Sequence, residues 1–291
     1  MKFRYLFLLI ILFVTGCTDK TEVIEDNVFD IVTSFYPIYV FTENVVKDVP
    51  GVTVTNMTAN HYGCIHDYSL TTTDMKLINK ADAFVINGLG LEGFLEKAYE
   101  TKTDLEIIDS SKGISTLQEN FSNGNNEHIW LSISDAIFQV KNICDGLIVL
   151  DNKNADTYIE NTNKYVEKLE KLRNELREKM YGYDDLKIVT SNEAFSYLAE
   201  DFDFEIVSVI EKEEGVSPTS KEIKEMINTI KENDIKNIFI EKDVSTKIIE
   251  TIASESGAKI VILDTITSGD GKDSDYEERM RKNIETIKES L

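Results

Sequence analysis

The chain has 291 residues, 42% of them hydrophobic and 29% charged, with 14 glycines and only 3 prolines. That composition supports a buried core and, at roughly 100–200 residues per domain, suggests two globular units. It excludes collagen-like, linker-dominated and disordered chains. Lys and Arg number 31 against 53 Asp and Glu, for a net charge of −22. So acidic a chain repels phosphate backbones and anionic headgroups, which excludes nucleic acid and purely electrostatic membrane binding and favours a cation as partner.

The first residues read as an address. Lys2 and Arg4 precede an unbroken apolar run over 5–14. A spanning helix needs about 20 such residues, so residues 1–16 are an export signal and not a transmembrane anchor. The run ends in Val14-Thr15-Gly16-Cys17, which resembles the lipobox of bacterial lipoproteins. That resemblance implies cleavage before Cys17, acylation of its thiol, and anchorage on the outer face of the cytoplasmic membrane. The acyl chains then hold an acidic protein at the membrane against its own charge. Residues 17–28 are polar and acidic, a tether with little to bury.

From residue 29 short apolar runs alternate with helical patterns. Strands are expected at 29–35, 52–57, 83–87 and 105–109, and helices at 40–47, 74–80, 91–99 and 134–150. This βαβ rhythm implies a mostly parallel sheet covered on both faces, a first lobe over 29–150. Cys144 falls on the stripe Ile133, Ile137, Val140, Cys144, Leu147, whose helical spacing assigns it to packing. Export leaves a disulfide between Cys64 and Cys144 possible, although nothing in the sequence brings them together.

Residues 154–181 break the rhythm. Tyr158, Tyr165, Leu169, Leu172, Leu176 and Met180 recur at helical spacing, and no Gly or Pro intervenes before Gly182. One continuous helix of about 40 Å is expected, a stiff link over 151–182 between two lobes. The second lobe, 183–291, resumes the alternation with strands at 186–191, 205–210, 237–241 and 259–263 and helices at 193–200, 220–233, 245–256 and 274–290. Two four-strand halves around a central helix suggest a pseudo-duplication.

In parallel sheets ligands bind beyond the carboxyl ends of the strands. Asp109, Asn192, Glu211, Glu241 and Asp264 stand there, and His66 and His128, two of only three histidines, fall in strand-to-helix loops of the first half. Oxygen and imidazole donors in a crevice at a lobe boundary suit a divalent metal.

The segments Gly63-Cys64-Ile65-His66-Asp67-Tyr68, 72–74 and 80–92 (KADAFVINGLGLE) resemble the zinc/manganese solute-binding lipoproteins of ABC importers, the cluster A-I metal-binding proteins. Glu127-His128-Ile129-Trp130 is similar to that family's second ligand motif, written D/N-P-H-x-W. Residues 189–197 resemble its third motif and 262–264 its fourth. The resemblance implies two four-stranded α/β lobes joined by one rigid backbone helix, with the metal in the interlobe cleft. It implies His66 and His128 as first-lobe ligands and Asn192 and Asp264 in the second-lobe ligand positions. Neutral imidazole suits zinc well and manganese acceptably, and a carboxylate offsets the dication.

Asn192 departs from the pattern, which places His or Glu there, and a neutral amide oxygen is a weak zinc ligand. Three readings stay open. Glu193 coordinates while Asn192 orients a ligand; His61 or Cys64 supplies the missing donor; or Asn192 binds directly and the site shifts toward manganese. Outside these, Asp264 can instead serve as a helix-start carboxylate, Glu241 as an acceptor that fixes an imidazole tautomer, and His61 as an inert exposed side chain.

The expected function is therefore an extracytoplasmic, lipid-anchored, monomeric receptor that captures Zn²⁺, or alternatively Mn²⁺, and hands it to an ABC permease and its ATPase. A zinc hydrolase with Glu193 as general base is the rival from another class, but the sequence holds neither HExxH nor GxSxG. Adhesion to host surfaces is neither supported nor excluded.

Overall fold

A computed structural model of the chain describes residues 28–59, 61, 65–66, 68–117, 126–211, 217–242, 246–269 and 275–291. The signal sequence, Cys17 and Cys64 lie outside the described residues.

The first lobe runs β1 (Phe29–Thr33), α1 (Tyr36–Val45), β2 (Val52–Asn56), α2 (Thr72–Lys80), β3 (Ala83–Ile86), α3 (Leu95–Thr101), β4 (Ile107–Asp109) and α4 (Ile133–Leu150). A long helix, α5 (Ala155–Lys179), follows. The second lobe comprises β5 (Lys187–Thr190), α6 (Ser196–Asp201), β6 (Glu205–Val209), α7 (Ser220–Glu232), β7 (Asn237–Glu241), α8 (Thr246–Ser256), β8 (Lys259–Leu263) and α9 (Asp275–Ser290). The sheets are ordered β2-β1-β3-β4 and β6-β5-β7-β8, every pairing parallel. Corresponding strands occupy corresponding places, so the two lobes repeat one topology. β3 is buried at all four positions, as a strand covered on both faces must be.

Several boundaries differ from the sequence expectation. α1 begins at Tyr36, because Pro37 sits in the first turn, where a missing N–H costs nothing. α3 begins at Leu95 and not at residue 91, since Gly88, Leu89 and Gly90 all take positive φ. The buried Glu92 carboxylate holds that bend, accepting the Asn87 and Gly88 N–H groups at 2.7 and 3.1 Å. The expected helix over 193–200 is a 3₁₀ turn, Glu193–Phe195, followed by α6.

α5 grips both lobes. Tyr158, Tyr165, Leu169, Leu172 and Leu176 are buried along one face, each contributing about 1.5–3 kcal/mol by leaving water. The Asn161 amide donates to the Val45 and Lys47 carbonyls in the first lobe. Arg281 and Lys179 join Glu175 and Glu285 across α5 and α9. One apolar cluster runs from Phe41 and Trp130 through Tyr165 to Phe195, Tyr276 and Ile284, so the lobes share a core. Cys144 is a buried thiol on α4.

A carboxylate from the second lobe also caps a helix of the first. Asp201 accepts the Ile133 and Ser134 N–H groups at 2.5 and 3.1 Å and the Ser134 hydroxyl at 2.5 Å, which satisfies orphan donors at the start of α4. Burial, followed by the charges of Asp201 and Glu200, pushes the neighbouring Asp135 up to about 7. The folded chain thus holds a proton on Asp135 that the unfolded chain has released, and between about pH 4 and 7 this group's contribution to stability falls as pH rises. Asp135→Asn is expected to raise the melting temperature of the metal-free chain more at pH 8 than at pH 5, as measured by thermal denaturation at both values.

Candidate metal site

His66 lies on the connection from β2 to α2, and His128 just before the 3₁₀ turn Ile129–Leu131 that leads into α4. Both stand beyond the carboxyl ends of the first sheet, where the crossover topology leaves a crevice. Their rings approach to 5.3 Å between centroids at 46°. Two imidazoles sharing one ion at a tetrahedral angle, with metal–nitrogen distances near 2.0–2.1 Å, hold their centroids about 5 Å apart. The pair therefore fits a common cation.

The segment carrying His128 is fixed from several sides. Asn126 is buried; its Oδ1 accepts the His128 N–H at 3.0 Å and faces His128 Nδ1 at 3.0 Å. A carbonyl-type partner on Nδ1 favours the tautomer in which Nε2 carries the lone pair. The Asn126 amide donates to the Glu193 carbonyl at 2.7 Å in the second lobe, and Tyr197 Oη donates back to the Asn126 carbonyl at 2.8 Å. The Asn87 amide donates to the Glu127 carbonyl at 3.0 Å, tying the segment to the bend that Glu92 holds. Burial first, and then the His66 ring, pulls His128 down to about 3, so its imidazole is neutral and its lone pair available at physiological pH.

Trp130 connects this segment to the other half. It is fully buried, edge-on to Phe35 at 4.8 Å and 5.1 Å from the His128 ring. Its Nε1–H donates to the Thr265 carbonyl at 2.8 Å, and its own carbonyl accepts from Tyr276 Oη at 2.8 Å.

Thr265 follows Asp264, the first residue after β8. Both Asp264 oxygens accept from Arg279, Nε to Oδ2 and Nη2 to Oδ1, each at 2.6 Å. Oδ1 also accepts the Ile266 N–H at 2.8 Å. Ile266 is buried with φ of 59°, a left-handed conformation that a β-branched residue holds only under constraint. Asn192 Oδ1 accepts the Ala194 N–H at 3.1 Å, capping the 3₁₀ turn, and its Nδ2 donates to Glu241. Glu193 is buried as the first residue of that turn. His61 stacks edge-on against Tyr68 at 5.0 Å.

The structure thus brings His66 and His128 together, pairs Asn192 with Glu241, and turns Asp264 toward Arg279. Among the described residues, no three His, Cys, Asp or Glu side chains already stand together as a metal cage. Sequence reasoning passed over Asn126 and Glu127, which were visible in the motif around His128. It also passed over Arg279, whose separation from Asp264 carries no local signal.

A family model described as "Zinc-uptake complex component A periplasmic" matches residues 31–290. The manganese-binding lipoprotein MntA of Halalkalibacterium halodurans is 27% identical over 99% of this chain and 98% of its own length. The high-affinity zinc uptake system protein ZnuA of Bacillus subtilis is 28% identical over 90% of this chain and 87% of its own. Among solved structures, the solute-binding protein FpvC of Pseudomonas aeruginosa in complex with Mn²⁺ superposes with a TM-score of 0.81 at 30% identity, covering 90% of this chain and 98% of that one.

Trp130→Phe keeps an aromatic ring but orphans the Thr265 carbonyl and opens a small cavity. It is expected to destabilise the chain by about 1–3 kcal/mol, as measured by denaturant unfolding.

Proposed function

We propose a function for this chain from its family: it belongs to the zinc-uptake complex component A proteins, and it works as an extracytoplasmic receptor that captures a divalent metal for an ABC importer. It is a receptor and not an enzyme. Zn²⁺ is the ion we assign to it, held by His66 and His128 from the first lobe and by Asp264 from the second. Cys17 carries the lipid anchor on the outer face of the cytoplasmic membrane, and the receptor works as a monomer that docks on a permease and its ATPase.

The observation that carries this reading is the His66–His128 pair, 5.3 Å between rings at the carboxyl end of the first sheet. A neutral imidazole at His128 is the correct charge state for ligation. Mn²⁺ is the second reading, and one feature favours it. Asn192 supplies a neutral oxygen where a third imidazole or a carboxylate is expected, and oxygen-rich sites suit harder ions. Because α5 packs along both lobes, loading proceeds through side chains and connections with little lobe rotation.

Isothermal titration of the chelator-treated chain with Zn²⁺ and Mn²⁺ tests the assignment. Binding of one ion per chain is expected, with loss of more than about 100-fold in affinity for the doubly substituted His66→Ala, His128→Ala chain. No binding by the wild type, or equal binding by the variant, overturns it.

A further inference from the structure

Glu127 stands at the position where the D/N-P-H-x-W motif has proline, so this chain places a carboxylate directly before a ligand histidine. Its Oε2 lies 3.4 Å from His66 Nε2, on the other connection. Both side chains are largely enclosed, 25% exposed for His66 and 20% for Glu127. The backbone that presents the carboxylate is held on each side. The Glu127 carbonyl accepts from the Asn87 amide and, at 2.8 Å, from the Ile129 N–H, while Asn126 is bonded to Tyr197 and to the Glu193 carbonyl.

Two oxygen donors of the second lobe are engaged otherwise. Asn192 caps its own turn and donates to Glu241, and Asp264 has both oxygens on Arg279. A dication placed against two neutral imidazoles needs anionic donors to offset its charge. The carboxylate that already faces one of those imidazoles belongs to Glu127.

We propose that Glu127 is a direct oxygen ligand of the captured cation, taking the donor place that Asn192 leaves to a neutral amide. This rests on the receptor reading above and assigns its selectivity. Two imidazoles with the carboxylates of Glu127 and Asp264 form a mixed nitrogen–oxygen set, which narrows the advantage of Zn²⁺ over Mn²⁺ relative to a three-imidazole site. The Glu127 carboxylate stands against His66 Nε2. A side-chain rotation on a fixed backbone exchanges that contact for a shared metal.

The test compares wild type, Glu127→Gln, Glu127→Asp and Asn192→Ala by titration with Zn²⁺ and with Mn²⁺, and counts ligands by X-ray absorption of the loaded chains. Circular dichroism confirms that each variant is folded. Glu127→Gln is expected to weaken Mn²⁺ binding by more than about 100-fold, beyond the 10–100-fold that loss of an outer hydrogen bond gives, and Zn²⁺ binding less. Glu127→Asp is expected to recover part of the loss, and Asn192→Ala to weaken Mn²⁺ binding less than Glu127→Gln does. The absorption spectrum of Glu127→Gln is expected to lose one carboxylate oxygen from the metal's shell. If Glu127→Gln binds as wild type, or its metal shell is unaltered, Glu127 is no ligand although the receptor reading stands. If the wild type binds neither ion, the receptor reading itself falls.

Discussion

The hydrogen bond from Trp130 Nε1 to the Thr265 carbonyl is the constraint around which the site is organised. Trp130 is two residues after His128, and Thr265 is one after Asp264, so a single buried donor fixes the distance between the His128 and Asp264 segments. Its strength comes from its surroundings. The indole is enclosed by Phe35 and the apolar cluster that both lobes share, and a donor buried there has no water to fall back on. The Trp130 carbonyl, taken by Tyr276 from α9, closes the arrangement from the other side. The same side chain therefore serves as core and as ruler between His128 and Asp264.

Charge distributes unevenly around that ruler. The chain is strongly acidic, yet the carboxylate just after β8 is matched by a guanidinium. Arg279 also reaches the Ser268 carbonyl and Asp275, and lies 5.7 Å over the Tyr36 ring. A cation approaching Asp264 competes with a bidentate, geometrically matched partner. A carboxylate so engaged is a weaker donor than one facing water. The left-handed Ile266 beside Asp264 is consistent with a carboxylate held in place for a purpose beyond packing.

Much of the fold was legible because its physics is local. Strands buried on both faces read as short apolar runs, helices as 3.6-residue stripes, and the uninterrupted stripe of α5 as one rigid element. The strand orders were not legible, since register between distant segments leaves no periodic trace. Nor was the start of α3. Its delay depends on Glu92 turning back on the Asn87 and Gly88 N–H groups, a tertiary contact in a segment whose composition reads as helical. His66 and His128 were identified as neighbours only by resemblance; sixty-one intervening residues carry no spacing signal. Glu127 was visible as a substitution within a motif, but its meaning needed the distance to His66. The Asp264–Arg279 pair spans the connection from β8 to α9 and leaves no mark in either element alone.

The way a metal enters follows from which bonds cross between the lobes. Trp130 to Thr265, Tyr276 to Trp130, Asn126 to Glu193, Tyr197 to Asn126, Tyr36 to Asp275 and Asp201 to the start of α4 all join one half to the other. Swinging the lobes apart breaks these together, each at about 1–3 kcal/mol where a buried partner is orphaned, against a total stability of about 5–15 kcal/mol for a folded domain. A wide hinge is too costly for a receptor that must load and unload repeatedly. The Asn126 and Trp130 bonds that fix the His128 segment reach across the seam. The lobes and α5 then act as one frame, with the His128 segment fixed at their seam.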